Sequence, residues 1–176
     1  MARYIVLLRG INVGGRQKVP MADLRALLAG LGYTDVRTHL QSGNAVVTTD
    51  ADASGVVAVV EGAITRDLGL TVPVVVRTGP ELRAVVEHNP LEVGDPSRFL
   101  VTFLADEPAP GSFDGLDLAA ARPEEFAAIG RELYFALPNG IQQAKLPDLV
   151  GRRLKGATAT ARNWNTVTRL LAMAEE

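Results

Sequence analysis

The sequence predicts an α+β fold in two similar halves, and three observations predict it. Apolar runs such as YIVLL and VPVVV have the length of strands. Apolar stripes with a helical period fall between them. The order of these elements over residues 1–87 returns, with changes, over residues 98–174. With 47 % hydrophobic residues, the chain can bury a core.

Residues 3–9 (RYIVLLR) read as the first strand, and GINVGGRQKVP at 10–20 follows as a loop. Met21, Leu24, Leu27, Leu28 and Leu31 share one face of a helix over 21–31, ended by Gly32. Strands at 35–40 and 44–49 are joined by the turn residues Gln41-Ser42-Gly43. Val56, Val57, Val60, Ile64 and Leu68 mark a second helix, with Asp52 or Ser54 as its cap. A strand over 72–77 has Pro73 near its start, which suits an edge position. A short helix covers 80–87. This order, β-α-β-β-α-β and then α, is the split β-α-β of a ferredoxin-like half.

The second half reads the same way. A strand at 98–104 (RFLVTFL) leads into a Pro- and Gly-rich loop over 105–115. A short helical piece is expected near 115–121. Strands over 124–129 and 132–137 flank the tight turn Gly130-Arg131. A helix over 147–154, a strand over 156–161 and a helix over 163–174 complete it. The expectation is a duplicated ferredoxin-like fold with antiparallel or mixed sheets. Its halves, residues 1–90 and 91–176, meet near His88–Ser97.

Composition excludes several classes. There is no cysteine, hence no disulfide frame, thiol nucleophile or thiolate metal site. No apolar run approaches the ~20 residues that a bilayer requires. With no apolar signal region at the N-terminus, a cytoplasmic location is expected. The net charge of -2 is unevenly placed. Residues 1–44 hold six basic against two acidic residues, residues 45–137 six against fifteen, and residues 138–174 six against one. Two basic ends therefore flank an acidic middle, and such an end attracts anions.

RGINVGG at 9–15, MADLRALLAGLGYTDVRTHLQSGN at 21–44, VTFL at 101–104, LPNGIQQAKL at 137–146 and ATARNWNTVTRLL at 159–171 together resemble the DUF1697 family. The likeness spans nearly the whole chain in order. It implies a compact α/β protein of two ferredoxin-like halves, and it implies no activity. The chain departs from the family at Ile141-Gln142-Gln143-Ala144, where members often carry a Gly-Arg-Ser-like stretch. A basic and a hydroxyl group are missing there, although Lys145 remains.

Three polar segments stand out. In the first, Arg9, Asn12, Gly14, Gly15, Arg16 and Lys18 lie in a loop between a strand and a helix, where α/β proteins often hold phosphate. Arg16-Gln17 stands where a P-loop needs Lys-Ser/Thr, so nucleotide hydrolysis of that kind is not expected. The competing reading is a glycine turn that needs positive φ. In the second, Gln41, Ser42 and Asn44 either brace a turn or form a polar lip over a pocket. In the third, Arg162, Asn163, Trp164 and Asn165 precede an apolar helix, and either asparagine could cap it. The alternative is an anion at that helix start, with Trp164 stacking on a ring. No His/Asp/Glu spacing fits a metal, and no GxSxG is present.

These segments predict a binding module for a small phosphate-bearing ligand, in a cleft lined by 9–18, 41–44 and 162–166. A metal-independent enzyme acting on such a ligand is one alternative, with His39 as its titratable group. A structural or assembly domain, with the motifs as turns and caps, is the other. Nucleic acid is not favoured, because no RNP-type string occurs and the chain is acidic overall. The sequence specifies no cofactor, reaction or oligomeric state.

Overall fold

β1 (Ala2–Leu8) is the organising strand of the N-terminal part of the chain. A computed structural model describes all 176 residues, which divide into two units, Met1–Ala84 with Arg169–Glu176, and Val85–Thr168. In the first unit β1 pairs antiparallel with β3 (Asn44–Thr49) on one side and β4 (Val74–Thr78) on the other. β2 (Thr34–His39) pairs with β3, giving the order β2-β3-β1-β4. β4 is thus an edge strand, as Pro73 beside it requires.

Strand alternation places Tyr4, Val6, Leu8, Val47 and Val76 on one face of this sheet. There they pack with Leu24 and Leu28 of α1 (Met21–Gly30) and with Val60 and Ile64 of α2 (Ala53–Leu68). Ile5, Leu7, Val46 and Val75 alternate with them and are also buried. Burial on both faces explains why YIVLL reads as a continuous run. Of the two caps expected for α2, Asp52 is the one used. Its carboxylate accepts the Gly55 N–H at 2.7 Å and the Ser54 hydroxyl at 3.1 Å.

The last turns of the C-terminal helix belong to this unit. Arg3 Nη1 donates to the Ala174 carbonyl at 2.8 Å, and Arg37 donates to the Met173 carbonyl and pairs with Glu176. Cations at a helix C-terminus meet its unpaired carbonyls and the negative end of its dipole.

In the second unit β5 (Phe99–Leu104) is central, between β7 (Glu132–Ala136) and β8 (Ala159–Asn163), with β6 (Glu125–Ile129) at the far edge of β7. Counted from the first strand of each unit, the two strand orders are the same. Each last strand sets a buried arginine at its fourth residue: Arg77 opposite Ile5, and Arg162 opposite Val101. The chain is therefore mixed α+β, with two four-stranded antiparallel sheets and helices in each unit. The remaining helices are α3 (Gly79–Glu87), α4 (Leu146–Gly151) and α5 (Trp164–Glu175). No helix is long and apolar enough to cross a membrane.

The helical piece expected near 115–121 does not form. Residues 105–124 run as successive turns closed by bonds such as Asp114 N–H to Gly111 O and Ala121 N–H to Leu118 O. Gly111 and Gly115 take φ of 81° and 77°, which no α-helix accommodates. Phe113 nevertheless meets Phe126 edge-on at 5.1 Å, and Phe126 lies against Phe135 at 5.2 Å. The segment covers the sheet face without helical geometry. The strand expected at 156–161 begins three residues later and ends two residues later, as β8, and α5 starts at Trp164.

One glycine is fixed by close approach. Gly43 has φ of 89°, and a Cβ there would stand 2.8 Å from Leu8 Cβ and 2.8 Å from Ile11 Cδ1. Gly140, at φ of 99°, has nothing within 4 Å. Gly43→Ala is expected to cost about 2 kcal/mol or more in a denaturant titration, and Gly140→Ala about 1 kcal/mol. Equal losses would mean that conformation alone, and not the contact with β1, constrains Gly43.

Candidate functional site

The loop after β1 folds back as a tight hairpin. Asn12 N–H bonds to Gln17 O at 3.1 Å, and Arg16 N–H to Val13 O at 3.0 Å. Gly14 and Gly15 between them take φ of 58° and 74°, the pair of positive values that marks a type I′ turn. The turn therefore accounts for the glycine pair by itself. Asn12, also at positive φ, pins the base of the hairpin. Its Nδ2 donates to Val19 O at 2.9 Å and to Gln41 O at 2.6 Å, and its Oδ1 accepts from Val19 N–H at 2.8 Å.

These bonds bring the first two predicted segments together at one end of the first sheet. Leu8 N–H bonds to Gly43 O at 2.9 Å. Asn44 is fully buried, and its Nδ2 donates to His39 O at 2.8 Å and to Ser42 Oγ at 2.9 Å. Asn44 therefore braces the β2–β3 turn, while Gln41 and Ser42 lie at the surface. Leu40, absent from the predicted set, is exposed with φ of 61°, a conformation that bulky residues rarely hold. Arg9, Arg16 and Lys18 are exposed, and their side chains make no hydrogen bond or ion pair. No acidic residue precedes Asp23 in the chain. The result is a braced loop whose three cations have no ion-pair partner, with Val13 at its tip 65 % exposed.

His39 sits at the end of β2, half-buried. Burial first, and the charge of Arg169 second, hold its pKa below the ordinary 6.5. Both causes favour the neutral imidazole, the form that can accept a proton.

The third predicted segment and Lys145 lie in the second unit. Arg162 is buried, and its Nη1 donates to Thr160 Oγ1 at 2.6 Å and Ala161 O at 2.8 Å. Desolvation pushes its pKa down to about 10, which leaves it charged at neutral pH. Asn163, and not Asn165, caps α5: its Oδ1 accepts from Thr166 N–H at 3.0 Å. Trp164 meets Phe99 edge-on at 5.2 Å. Asn165 is exposed. The backbone N–H of Lys145 bonds to the buried Glu124 carboxylate at 3.0 and 3.1 Å, while its side chain lines a cavity of about 380 Å³. Arg98 and Arg122 line the same cavity. Neither was indicated by sequence, because both stand alone, far from Lys145 and from any motif. Arg77 did leave a signal, as the one charge in the apolar strand VVVRT.

The model of a family described as "Protein of unknown function (DUF1697)" matches residues 1–134. Among solved structures, the chain is similar to conserved bacterial protein SP0830 from Streptococcus pneumoniae, at 22 % identity, 98 % coverage of both chains and a TM-score of 0.72. That likeness shows a shared fold. No curated protein matches the chain.

Two outcomes follow for the first unit. Asn12→Ala should lower stability by about 1–2 kcal/mol and speed amide exchange at Gln17 and Val19, read by hydrogen exchange. In an NMR titration His39 should have a midpoint below 6.5. Arg169→Ala should raise that midpoint only part of the way, since burial is the larger cause. Because the folded pKa lies below the unfolded one, His39 disfavours the native state as pH falls through 6.5. A midpoint at or above 6.5 would show that the site solvates the imidazolium.

Proposed function

The chain belongs to the DUF1697 family, whose function is unknown, and from that premise we propose that it is a binding module for a small phosphate-bearing ligand. Arg9, Arg16 and Lys18 supply the charge, and Gln41 supplies an amide at the lip. The observation that carries this reading is the contrast within the hairpin. Its backbone is tied by Asn12 to Val19 and Gln41, while its three cationic side chains carry no partner. Cations held on a braced loop lose less freedom when an anion arrives, so more of the attraction survives as affinity. Arginine adds a planar fork that matches phosphate oxygens in pairs.

Asn12 and Asn44 serve this site as positioning residues, because their amides are spent on the backbone. Arg162, Asn163 and Trp164 have structural tasks in the second unit, so the proposal rests on the 9–18 and 41–44 segments alone.

The scaffold in this reading is a duplication of a ferredoxin-like half, over residues 1–90 and 91–176. Three features support it: the β-α-β-β-α-β order of the first unit, the matching strand orders, and the paired positions of Arg77 and Arg162. In the second half, the turns of 105–124 replace the first helix.

The test is thermal unfolding of the full chain with AMP, ribose 5-phosphate and a thymidine trinucleotide. At ~100 times its dissociation constant, a true ligand should raise the midpoint by about 5–10 °C. The rise should shrink in an Arg16→Ala, Lys18→Ala variant and persist in full in Arg152→Ala, a change on the exposed surface of the second unit. A flat response to all three probes, or a rise indifferent to Arg16 and Lys18, would leave the hairpin as architecture.

A further inference from the structure

Two adjoining hollows lie in the second unit, and no residue of the basic hairpin lines either of them. The first, about 380 Å³, has Arg98, Arg122 and Lys145 in its wall, with the amides of Asn139 and Gln143. The second, about 570 Å³, shares Arg122, Pro123 and Glu124 with it, and Leu91, Leu118 and Phe126 supply apolar walls. Each volume is in the range of small-molecule sites.

The charges in the first hollow are not balanced. Glu124 is its one acid, and that carboxylate is taken up by the N–H groups of Lys145 and Leu146 at 2.9–3.1 Å. Those bonds fix the loop that carries Lys145. Arg98 is anchored by Pro138 O at 2.8 Å and faces Asp95 at 3.8 Å. The side chains of Arg122 and Lys145 make no hydrogen bond or ion pair. With Arg98 paired to Asp95, the unpartnered Arg122 and Lys145 against Glu124 leave an excess of one positive charge around a polar hollow, and an apolar hollow opens beside it.

We infer that the paired hollows bind a phosphate monoester with an apolar or aromatic body. The phosphate sits against Arg122 and Lys145, and the body lies in the hollow walled by Leu91, Leu118 and Phe126. A phosphate monoester carries about -1.5 to -2 charge at neutral pH, which Arg122 and Lys145, the two cations of the hollow without a partner, can meet. Arg122 offers a paired fork and Lys145 a compact charge with three donors. Asn139 and Gln143 can donate to the remaining oxygens. Glu125, at the rim of the apolar hollow, disfavours a second anionic group there.

The probe is phenyl phosphate, followed by NMR of the isotope-labelled full chain, which reports this site and the hairpin separately. Expected are saturable shifts at 118–126 and 139–146. Inorganic phosphate should bind these residues about tenfold more weakly, and phenol should leave the 139–146 amides unmoved. Arg122→Ala with Lys145→Ala, both at exposed positions, should lower affinity at least ~10-fold with the unfolding midpoint unchanged. Leu118→Ser should bring phenyl phosphate down to the level of inorganic phosphate. Arg16→Ala with Lys18→Ala should leave these shifts intact, so failure of the hairpin site and failure of this one are distinguishable. Absence of shifts at 118–126 and 139–146, or affinity that survives loss of Arg122 and Lys145, would overturn the inference.

Discussion

The first unit depends on how closely the β2–β3 turn can approach β1. Gly43 lies where a single added carbon would stand 2.8 Å from Leu8 and from Ile11. Because it has no side chain, its carbonyl reaches the Leu8 N–H. That contact brings Gln41 O within reach of Asn12, and Asn12 in turn closes the hairpin. The basic patch is thus the last link in a chain of local contacts that begins with an absent Cβ. Charge alone would have placed Arg16 and Lys18 on a loose loop, where ordering costs would absorb much of an anion's attraction.

Both units bury a cation in a strand. β4 and β8 are edge strands, yet each carries an arginine less than one-tenth exposed. Burial of a guanidinium is tolerated only where its donors meet acceptors. Arg77 reaches Val76 O, and Arg162 reaches Thr160 Oγ1 and Ala161 O. In both units, then, the main chain beside the arginine supplies part of its solvation. A lysine would keep the charge but lose the fork that makes such contacts.

Much of this was legible in the sequence. β1, β3, β5 and β7 are apolar runs bounded by turn residues, and α1 and α2 show their stripes. Pro73 marked an edge, and Asp52 was a candidate cap. The loop over 105–115 was legible from its Pro and Gly content, but the turns of 115–121 were not, because Leu116 recurs with Ala119 and Ala120 at i+3 and i+4 as a helix would, while Gly115 takes a positive φ. The clamp by Asn12 was also hidden, since its partners lie 7 and 29 residues away and no local pattern links them. The cations of the second-unit hollow were scattered at 98, 122 and 145, and only the fold gathers them. Residue types that suggest a site can thus be read from a string, but the question of which are already spent on the backbone cannot.

The last eight residues carry a consequence for biosynthesis. Residues 169–176 belong with the first 84, where Arg3 and Arg37 meet the carbonyls of Ala174 and Met173. A chain made from its N-terminus therefore releases the first sheet long before the helix that completes it. Until residue 176 clears the ribosome, two arginines lack their acceptors and the face they border is unfinished. The unit that is synthesised first is the one completed last.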